Sequence, residues 1–95
     1  MSTPISKTVT VRNAQGLHMR PANALVELAS RFDSKITIGN GGDAFDCKSM
    51  LSLMTLGAED GSQWIVTTDG QDSGTALDQI AAFFESGFET DNENN

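Results

Sequence analysis

The sequence predicts an α+β fold, a two-layer sandwich in which a mainly antiparallel sheet of four strands carries three helices on one face. Segments of alternating apolar and polar residues, typical of half-buried strands, interleave with segments of helical spacing in the order βαββαβα. A glycine-rich turn joins two neighbouring strands, and such hairpins are antiparallel. The length of 95 residues suits one such domain.

The first half of the chain predicts a strand, a helix and a hairpin. Val9 and Val11 alternate with polar residues, which is the period of a half-buried strand. From Pro21 onward apolar residues recur at helical spacing, and Gly39-Asn40-Gly41-Gly42 forms a tight turn between two short alternating segments. These patterns predict strand one, helix one, strand two and strand three over residues 5–11, 21–32, 35–38 and 44–47.

The second half predicts a short helix, a strand and a longer helix. Ser49 precedes an apolar run that stops at Gly57, so a cap residue and a stop signal bracket helix two. The segment 64–68 is rich in strand formers and predicts strand four. Asp72 and Ser73 are candidate caps for helix three, whose apolar residues recur at helical spacing: Ala76, Leu77, Ile80, Ala81, Phe84 and Phe88.

Charge is unevenly distributed along the chain. Residues 1–50 contain six basic and four acidic residues, a net of +2, whereas residues 51–95 contain nine acidic residues and no basic one. An acidic chain without a basic stripe is repelled by a phosphate backbone, which excludes a nucleic-acid partner. The segment 89–95 is predicted to be an acidic, disordered tail, which leaves residues 1–88 as one domain.

Cysteine usage and hydropathy predict a cytoplasmic protein. Cys47 is the single cysteine, so no intramolecular disulfide can form, and residues 1–11 have no apolar run of the length a secretory signal needs. No segment approaches the ~20 consecutive apolar residues that span a bilayer, so no membrane insertion is expected.

The most informative stretch for function is Gly16-Leu17-His18-Met19-Arg20-Pro21-Ala22. Proline is tolerated in the first turn of a helix, so Pro21 places His18 or its neighbour at a helix N-terminus. The backbone N–H groups there, with the positive end of the helix dipole, make an anion site, and Arg20 adds a fork of donors suited to phosphate. His18 is therefore a candidate nucleophile beside an anion cradle, the alternative being a structural cap or an exposed bystander.

The second informative stretch, from Lys48 to Gly57, contains helix two. Ser49 is a helix cap in any interpretation. An apolar helix with two methionines normally packs into the core, but a helix this short cannot bury every side. We therefore predict a docking patch for partner proteins, formed by the loop of His18 and helix two: Met19, Met50, Leu51 and Met54.

Metal-dependent and conventional enzyme functions fit the sequence poorly. One histidine and one cysteine do not make a zinc constellation, and no Walker sequence follows any predicted strand. No nucleophile elbow surrounds any serine, which argues against a hydrolase. No metal or other cofactor is expected.

The chain resembles the HPr family, the histidine-containing phosphocarriers of the phosphoenolpyruvate-dependent sugar phosphotransferase system. The stretch 16–22 resembles the family's active-site signature, and 48–57 resembles its regulatory serine and second helix. Together with the predicted element order, the resemblance covers residues 5–88. It implies the family's open-faced βαββαβα sandwich.

The resemblance implies a monomeric phosphocarrier, not an enzyme. His18 would be phosphorylated on its Nδ1 atom by phosphorylated enzyme I and would donate to an enzyme IIA domain for sugar uptake. Arg20 would hold the phosphoryl group. Ser49 would be the site of a serine kinase, opposed by a phosphorylase, in lineages that possess them.

Some positions depart from the family pattern. Met19 stands where the family usually carries a small residue, and Glu27 and Ser30 stand where many members present lysines or small residues to an acidic partner. Two alternatives to sugar transport therefore stay open. One is a phosphocarrier that serves mainly regulatory phosphorylation, and the other is a binding module in which His18 is inert.

Overall fold

The computed structural model describes residues 3–89. The predicted acidic tail lies outside this range except for Glu89. Within the described range, no helix is long and apolar enough to cross a membrane. The order of elements agrees with the predicted βαββαβα: Ile5–Thr10 (β1), Met19–Ala29 (α1), Lys35–Gly39 (β2), Ala44–Asp46 (β3), Met50–Leu56 (α2), Gln63–Asp69 (β4) and Ser73–Glu85 (α3).

The four strands form one sheet in the order β1-β4-β2-β3. Every neighbouring pair is antiparallel, which confirms the predicted α+β class. Val9 lies opposite Trp64, and Ile38 lies opposite Val66, so apolar side chains from three strands share one face of the sheet.

The hydrophobic core lies between that face and the helices. Its strand residues are almost fully buried: Val9, Ile36, Ile38 and Val66. The helices contribute buried Leu25, Leu53, Ile80 and Phe84. On the opposite face the hydroxyl groups of Ser6 and Thr67 lie 2.8 Å apart and are exposed. The sandwich is therefore open on one side, as predicted.

Helix α1 begins earlier and ends earlier than the apolar spacing predicted. It starts at Met19, so Pro21 occupies the third helical position, where its missing N–H has no intrahelical acceptor to lose. It ends at Ala29, after which the chain continues in turns, with the N–H of Phe32 donating to the carbonyl of Ala29 at 3.2 Å. The predicted bounds of strands one to four differ from the structure by one residue at most.

Helix α3 ends at Glu85, three residues before the last member of its predicted apolar pattern. Gly87 and Phe88 have φ angles of 74° and 69°, a left-handed conformation that stops the helix. Phe88 nevertheless reaches the core, because this turn brings its ring to 5.4 Å from Phe83 and 4.9 Å from Phe84 in edge-to-face contacts.

Asp72 is the N-cap residue of α3, but its side chain makes no capping hydrogen bond. Its carboxylate instead accepts hydrogen bonds from the backbone N–H groups of Asp33 and Ser34, each at 2.9 Å, and from the Ser34 hydroxyl. These bonds, with the Ser34 hydroxyl first, hold the pKa of Asp72 below its usual range. The side chain therefore joins the α1–β2 connection to the start of α3.

Candidate functional site

His18 is the N-cap residue of α1. Its backbone is extended, with φ of −80° and ψ of −172°, and its carbonyl accepts the first helical hydrogen bond from the N–H of Ala22 at 3.0 Å. Its side chain makes no capping bond and is half-buried. The backbone of His18 is therefore held by the helix, while the imidazole is partly open to solvent.

The first turn of α1 has the electrostatic features of an anion-binding helix end. The N–H groups at the start of a helix have no intrahelical acceptor, and the helix dipole is positive there. Arg20 is exposed in this first turn, two residues after His18. The prediction from Pro21 that His18 or its neighbour lies at a helix N-terminus is confirmed, and His18 and Arg20 both lie at this end of α1.

The loop that precedes His18 is held against the segment that follows α2. The N–H of Leu17 donates to the carbonyl of Ala58 at 3.0 Å. Gly16 has a φ of 69°, and a Cβ atom there would lie 2.5 Å from the Ala58 oxygen. Only glycine permits both this conformation and this close approach. The glycine of the signature thus sets the position of His18.

Asn13 and Asp60 complete this loop, although no sequence motif marked either of them as a site residue. The Asn13 side chain accepts from the N–H of Gln15 at 3.0 Å, which is an Asx turn, and the Asn13 carbonyl accepts from the N–H of Gly16 at 2.8 Å. Asp60 accepts from the N–H of Asn13 at 3.1 Å. An asparagine three residues before a turn glycine is a local sequence signal for the Asx turn. No local signal indicates the hydrogen bond between Asp60 and Asn13, because the two residues are far apart in the chain.

Ser49 caps α2, as predicted. Its hydroxyl accepts from the N–H of Ser52 at 3.2 Å, and Gly57 ends the helix in a left-handed conformation with φ of 70°. The neighbouring Lys48 amino group donates to the carbonyl of Phe32, beyond the C-terminus of α1, at 2.7 Å. Ser49 therefore lies toward the end of α1 that is remote from His18.

Helices α1 and α2 are antiparallel neighbours. Lys48 joins the start of α2 to the end of α1, and Ala58 joins the end of α2 to the loop of His18. The chain between these contacts is a helix of seven residues, which rises about 10 Å. The structure thus brings the C-terminal part of α2 to His18, and it separates Ser49 from His18.

The predicted docking patch is exposed at three of its four residues. Met19 is 66% exposed, Leu51 80% and Met54 44%. Met50 is half-buried and packs against the core. Helical spacing explains the difference, because buried Leu53 and Leu56 together define the inner face of α2. Residue 50 lies at the edge of that face, whereas residues 51 and 54 point outward.

The single cysteine, Cys47, is not available as a second nucleophile. Cys47 is fully buried, and burial, followed by the charge of Asp46, raises the pKa of its thiol to about 12. The thiol is therefore protonated near neutral pH, which makes it a poor nucleophile. Within residues 3–89, no group of three or more histidine, cysteine or acidic side chains is placed to hold a metal ion.

Comparison with known protein families and sequences agrees with this architecture. The family model described as "PTS HPr component phosphorylation site" matches residues 5–86. The phosphocarrier protein HPr of Treponema pallidum is 39% identical over 85 residues, covering 90% of this chain and 97% of that protein. The phosphocarrier protein NPr of Proteus mirabilis is 36% identical over 86 residues, covering 90% and 96%.

Solved structures have the same fold. HPr of Thermoanaerobacter tengcongensis superposes with a TM-score of 0.84 at 31% identity, covering 88% of this chain and 94% of that one. Crh of Bacillus subtilis, a catabolite-repression protein described as a dimer with a swapped domain, has a TM-score of 0.72 at 30% identity, covering 90% and 99%. From the matched family model and these relatives, the chain belongs to the HPr phosphocarrier family of the phosphotransferase system.

Proposed function

We propose that this protein accepts a phosphoryl group on His18 from phosphorylated enzyme I and transfers it to an enzyme IIA domain for sugar uptake. The observation that carries the proposal is the position of His18 at the N-cap of α1, with an imidazole that makes no capping bond. A nucleophile and an anion-binding helix end coincide at this residue.

The transfer requires an imidazole in its neutral form. The lone pair of Nδ1 attacks the phosphorus atom, the new P–N bond forms, and the bond between phosphorus and the donor breaks, so its electron pair returns to the donor. The acceptor reverses these changes when it attacks the phosphoryl group on His18. The protein is therefore a carrier, and His18 returns to its free form at the end of each cycle.

Arg20 and the start of α1 bind the phosphoryl oxygens. The guanidinium of Arg20 is a permanent positive charge with several N–H donors in a plane, which suits phosphate oxygens. Its exposure in the first turn keeps it accessible to a group carried on His18. Charge developing on the oxygens during transfer is stabilised by donors that are already in place.

The docking patch of Met19, Met50, Leu51 and Met54 contacts both donor and acceptor. Exposed methionine and leucine side chains adapt to more than one partner surface. Leu51 is the most exposed of the four and Met50 contributes the least area, since it packs against the core. One surface used in turn by two partners suits a carrier that must release each of them.

Ser49 is a regulatory phosphorylation site wherever a serine kinase, with a phosphorylase that opposes it, is present. Its hydroxyl is half-buried at the first turn of α2 and already accepts the N–H of Ser52. A phosphate there places about −1.5 to −2 charges at a helix N-terminus, which favours it. Its effect falls on docking, because Ser49 adjoins Met50 and Leu51 in the chain.

A second candidate function is a phosphocarrier that serves mainly regulation and delivers phosphate to a kinase, a phosphatase or a transcription regulator. The likeness to NPr and to the catabolite-repression protein Crh favours it. The chemistry at His18 is the same, and only the acceptor differs. Assays with purified IIA domains and with regulatory proteins of the same organism separate the two functions.

We place the carrier in the cytoplasm as a monomer. The solved Crh and one HPr structure of Thermoanaerobacter tengcongensis are described as dimers, so the oligomeric state is a direct test. Light scattering across a range of protein concentrations measures it.

The decisive experiment is incubation with phosphoenolpyruvate and enzyme I from the same organism. We expect one phosphoryl group per chain, labile in acid and stable in base, as for a phosphoramidate. His18→Ala should take up none, while Cys47→Ala should be labelled normally, because its thiol is buried away from the site. Labelling of His18→Ala at the wild-type rate would refute the assignment.

A further inference from the structure

The pairing of β1 with β4 continues past the strand ends, toward the loop that precedes α1. The N–H of Val11 donates to the carbonyl of Ser62 at 2.9 Å, and the N–H of Gly61 donates to the carbonyl of Val11 at 2.7 Å. Two residues further along, the N–H of Asn13 donates to a carboxylate oxygen of Asp60 at 3.1 Å. At this step the acceptor is therefore a side chain, where a continuing strand would supply a backbone carbonyl.

A tight turn holds Asp60 in place. The N–H of Ser62 donates to the carbonyl of Glu59 at 3.0 Å, which closes a β-turn. Asp60 is the second residue of that turn, and Gly61 is the third, with a φ of 85° that favours glycine. Because the turn is also bonded to the end of β1, the carboxylate of Asp60 is presented from a fixed backbone.

Asn13 carries this anchor into the loop that precedes α1. Its carbonyl accepts from the N–H of Gly16 at 2.8 Å, and its side-chain oxygen accepts from the N–H of Gln15 at 3.0 Å. The loop then makes a second contact, in which the N–H of Leu17 donates to the carbonyl of Ala58 at 3.0 Å. The segment that follows α2 therefore holds the loop at both of its ends.

We infer that Asp60 is a positioning residue for phosphoryl transfer, which acts through Asn13 on the placement of His18. The inference rests on the proposed function. Because the bond of Asp60 is to the backbone of the loop, its contribution is to orient the imidazole. Transfer is sensitive to such placement, since a displacement of about 1 Å costs roughly a hundredfold in rate.

The negative charge of Asp60 is an alternative cause of any effect, because the phosphoryl group is an anion. The neighbouring exposed charges have both signs, since Glu59 is acidic and Arg12 is basic. Lys48 bonds beyond the C-terminus of α1, remote from this loop. Asparagine separates the two causes at position 60, because its amide keeps an oxygen acceptor and carries no charge.

The test is rapid-quench transfer from phosphorylated enzyme I of the same organism. A range of enzyme I concentrations gives the maximal rate and the concentration at half-saturation separately. Asp60→Ala removes both acceptor and charge, and Asp60→Asn removes the charge alone. The matched control is Glu59→Ala, which removes the adjacent exposed carboxylate and leaves the bond to Asn13 in place.

Two further measurements do not depend on transfer. Hydrogen exchange of the Asn13 amide, followed by NMR, reports the bond itself, and it should become faster in Asp60→Ala only. Circular dichroism checks that the variants are folded, as expected for changes at exposed side chains.

We expect Asp60→Ala to lower the maximal rate roughly tenfold, with the concentration at half-saturation unchanged, because the docking patch is intact. Asp60→Asn and Glu59→Ala should transfer at least as fast as wild type. The inference alone would be overturned by wild-type transfer in Asp60→Ala, by an equal slowing in Asp60→Asn, or by an effect confined to half-saturation. Absence of any phosphoryl uptake by wild type would overturn the proposed function as well.

Discussion

The backbone N–H of Leu17 and the carbonyl of Ala58 are joined by a 3.0 Å hydrogen bond, which ties the loop of His18 to the end of α2. This bond brings His18, the proposed nucleophile, close to the C-terminal part of α2, which carries Met54 of the predicted docking patch. It depends on Gly16, whose backbone passes against the same carbonyl.

Gly16→Ala should slow transfer more than its loss of stability explains. Alanine at position 16 must adopt a φ of 69°, and its Cβ atom would lie 2.5 Å from the Ala58 oxygen. Because this contact is too close, the loop must shift, which moves His18. Gly57→Ala is the matched control, because its φ is 70° and its Cβ meets nothing within 4 Å. Both should lose about 1–2 kcal/mol of unfolding free energy from the left-handed conformation. Only Gly16→Ala should lose roughly tenfold or more in transfer rate, measured with labelled phosphoenolpyruvate.

Arg20→Ala should slow transfer by roughly ten- to a hundredfold, because charged hydrogen bonds to phosphate contribute about 1.5–3 kcal/mol. Thermal stability should change little, since the side chain is exposed. Arg31→Ala removes another exposed arginine, beyond the other end of α1, and is the control. Rapid-quench kinetics measure the rate, and wild-type kinetics in Arg20→Ala would remove this residue from the mechanism.

Leu51→Glu should weaken binding of both enzyme I and the acceptor by at least tenfold, or about 1.4 kcal/mol, while the fold is kept. The side chain is 80% exposed, so the core loses almost nothing. Gln79→Glu adds the same charge on an exposed position of α3 and should bind normally. Calorimetric titration measures both affinities. A variant that unfolds would instead assign Leu51 to the core.

Ser49→Asp should reduce phosphoryl uptake at His18 with little change in melting temperature. Aspartate caps a helix about as well as serine, so α2 stays capped. The added charge borders Met50 and Leu51 and opposes docking on an apolar or acidic surface. Ser49→Asn keeps the cap without the charge and should transfer normally. Undiminished transfer in both Ser49→Asp and authentic phosphoserine protein would leave Ser49 with capping alone.

Asp72 should make stability depend on pH in the acid range. Because hydrogen bonds from Ser34 and Asp33 lower its pKa from 3.8, the folded state binds a proton less readily than the unfolded state. The stabilisation is therefore complete above about pH 4 to 5 and is lost as pH falls through the folded pKa. Asp72→Asn should be less stable than wild type at neutral pH, and the difference should shrink in acid.

Urea unfolding at several pH values measures this dependence. Asp43→Asn, an exposed change in the β2–β3 turn, is the control for removing a charge. Ser34→Ala removes the Ser34 hydroxyl, which contributes most to lowering the pKa of Asp72. This variant should therefore show a smaller loss of stability in acid than wild type. A difference between Asp72→Asn and wild type that persists unchanged into strong acid would contradict the explanation.

Sequence periodicity was sufficient for the fold class because each strand and helix buries one face of its own. Caps and breakers act within a few residues, so Ser49 and Gly57 marked α2 correctly, and Pro21 indicated that α1 starts beside His18. The helix ends were less predictable. Apolar spacing alone predicted that α1 extends to Phe32 and that α3 extends to Phe88. In the structure each of these residues lies in the turn that follows its helix.

By itself, the sequence determined the order of elements, a helix N-terminus at His18 or its neighbour, and the cap at Ser49. Only the tertiary structure decided that Leu17 meets Ala58, that Asp72 binds Ser34 instead of capping α3, and that Met50 faces inward while Leu51 stays exposed. The physical reason is the separation along the chain. Capping and periodicity act between near neighbours, whereas Leu17 and Ala58, or Ser34 and Asp72, meet only after the sheet has paired and the helices have packed on it.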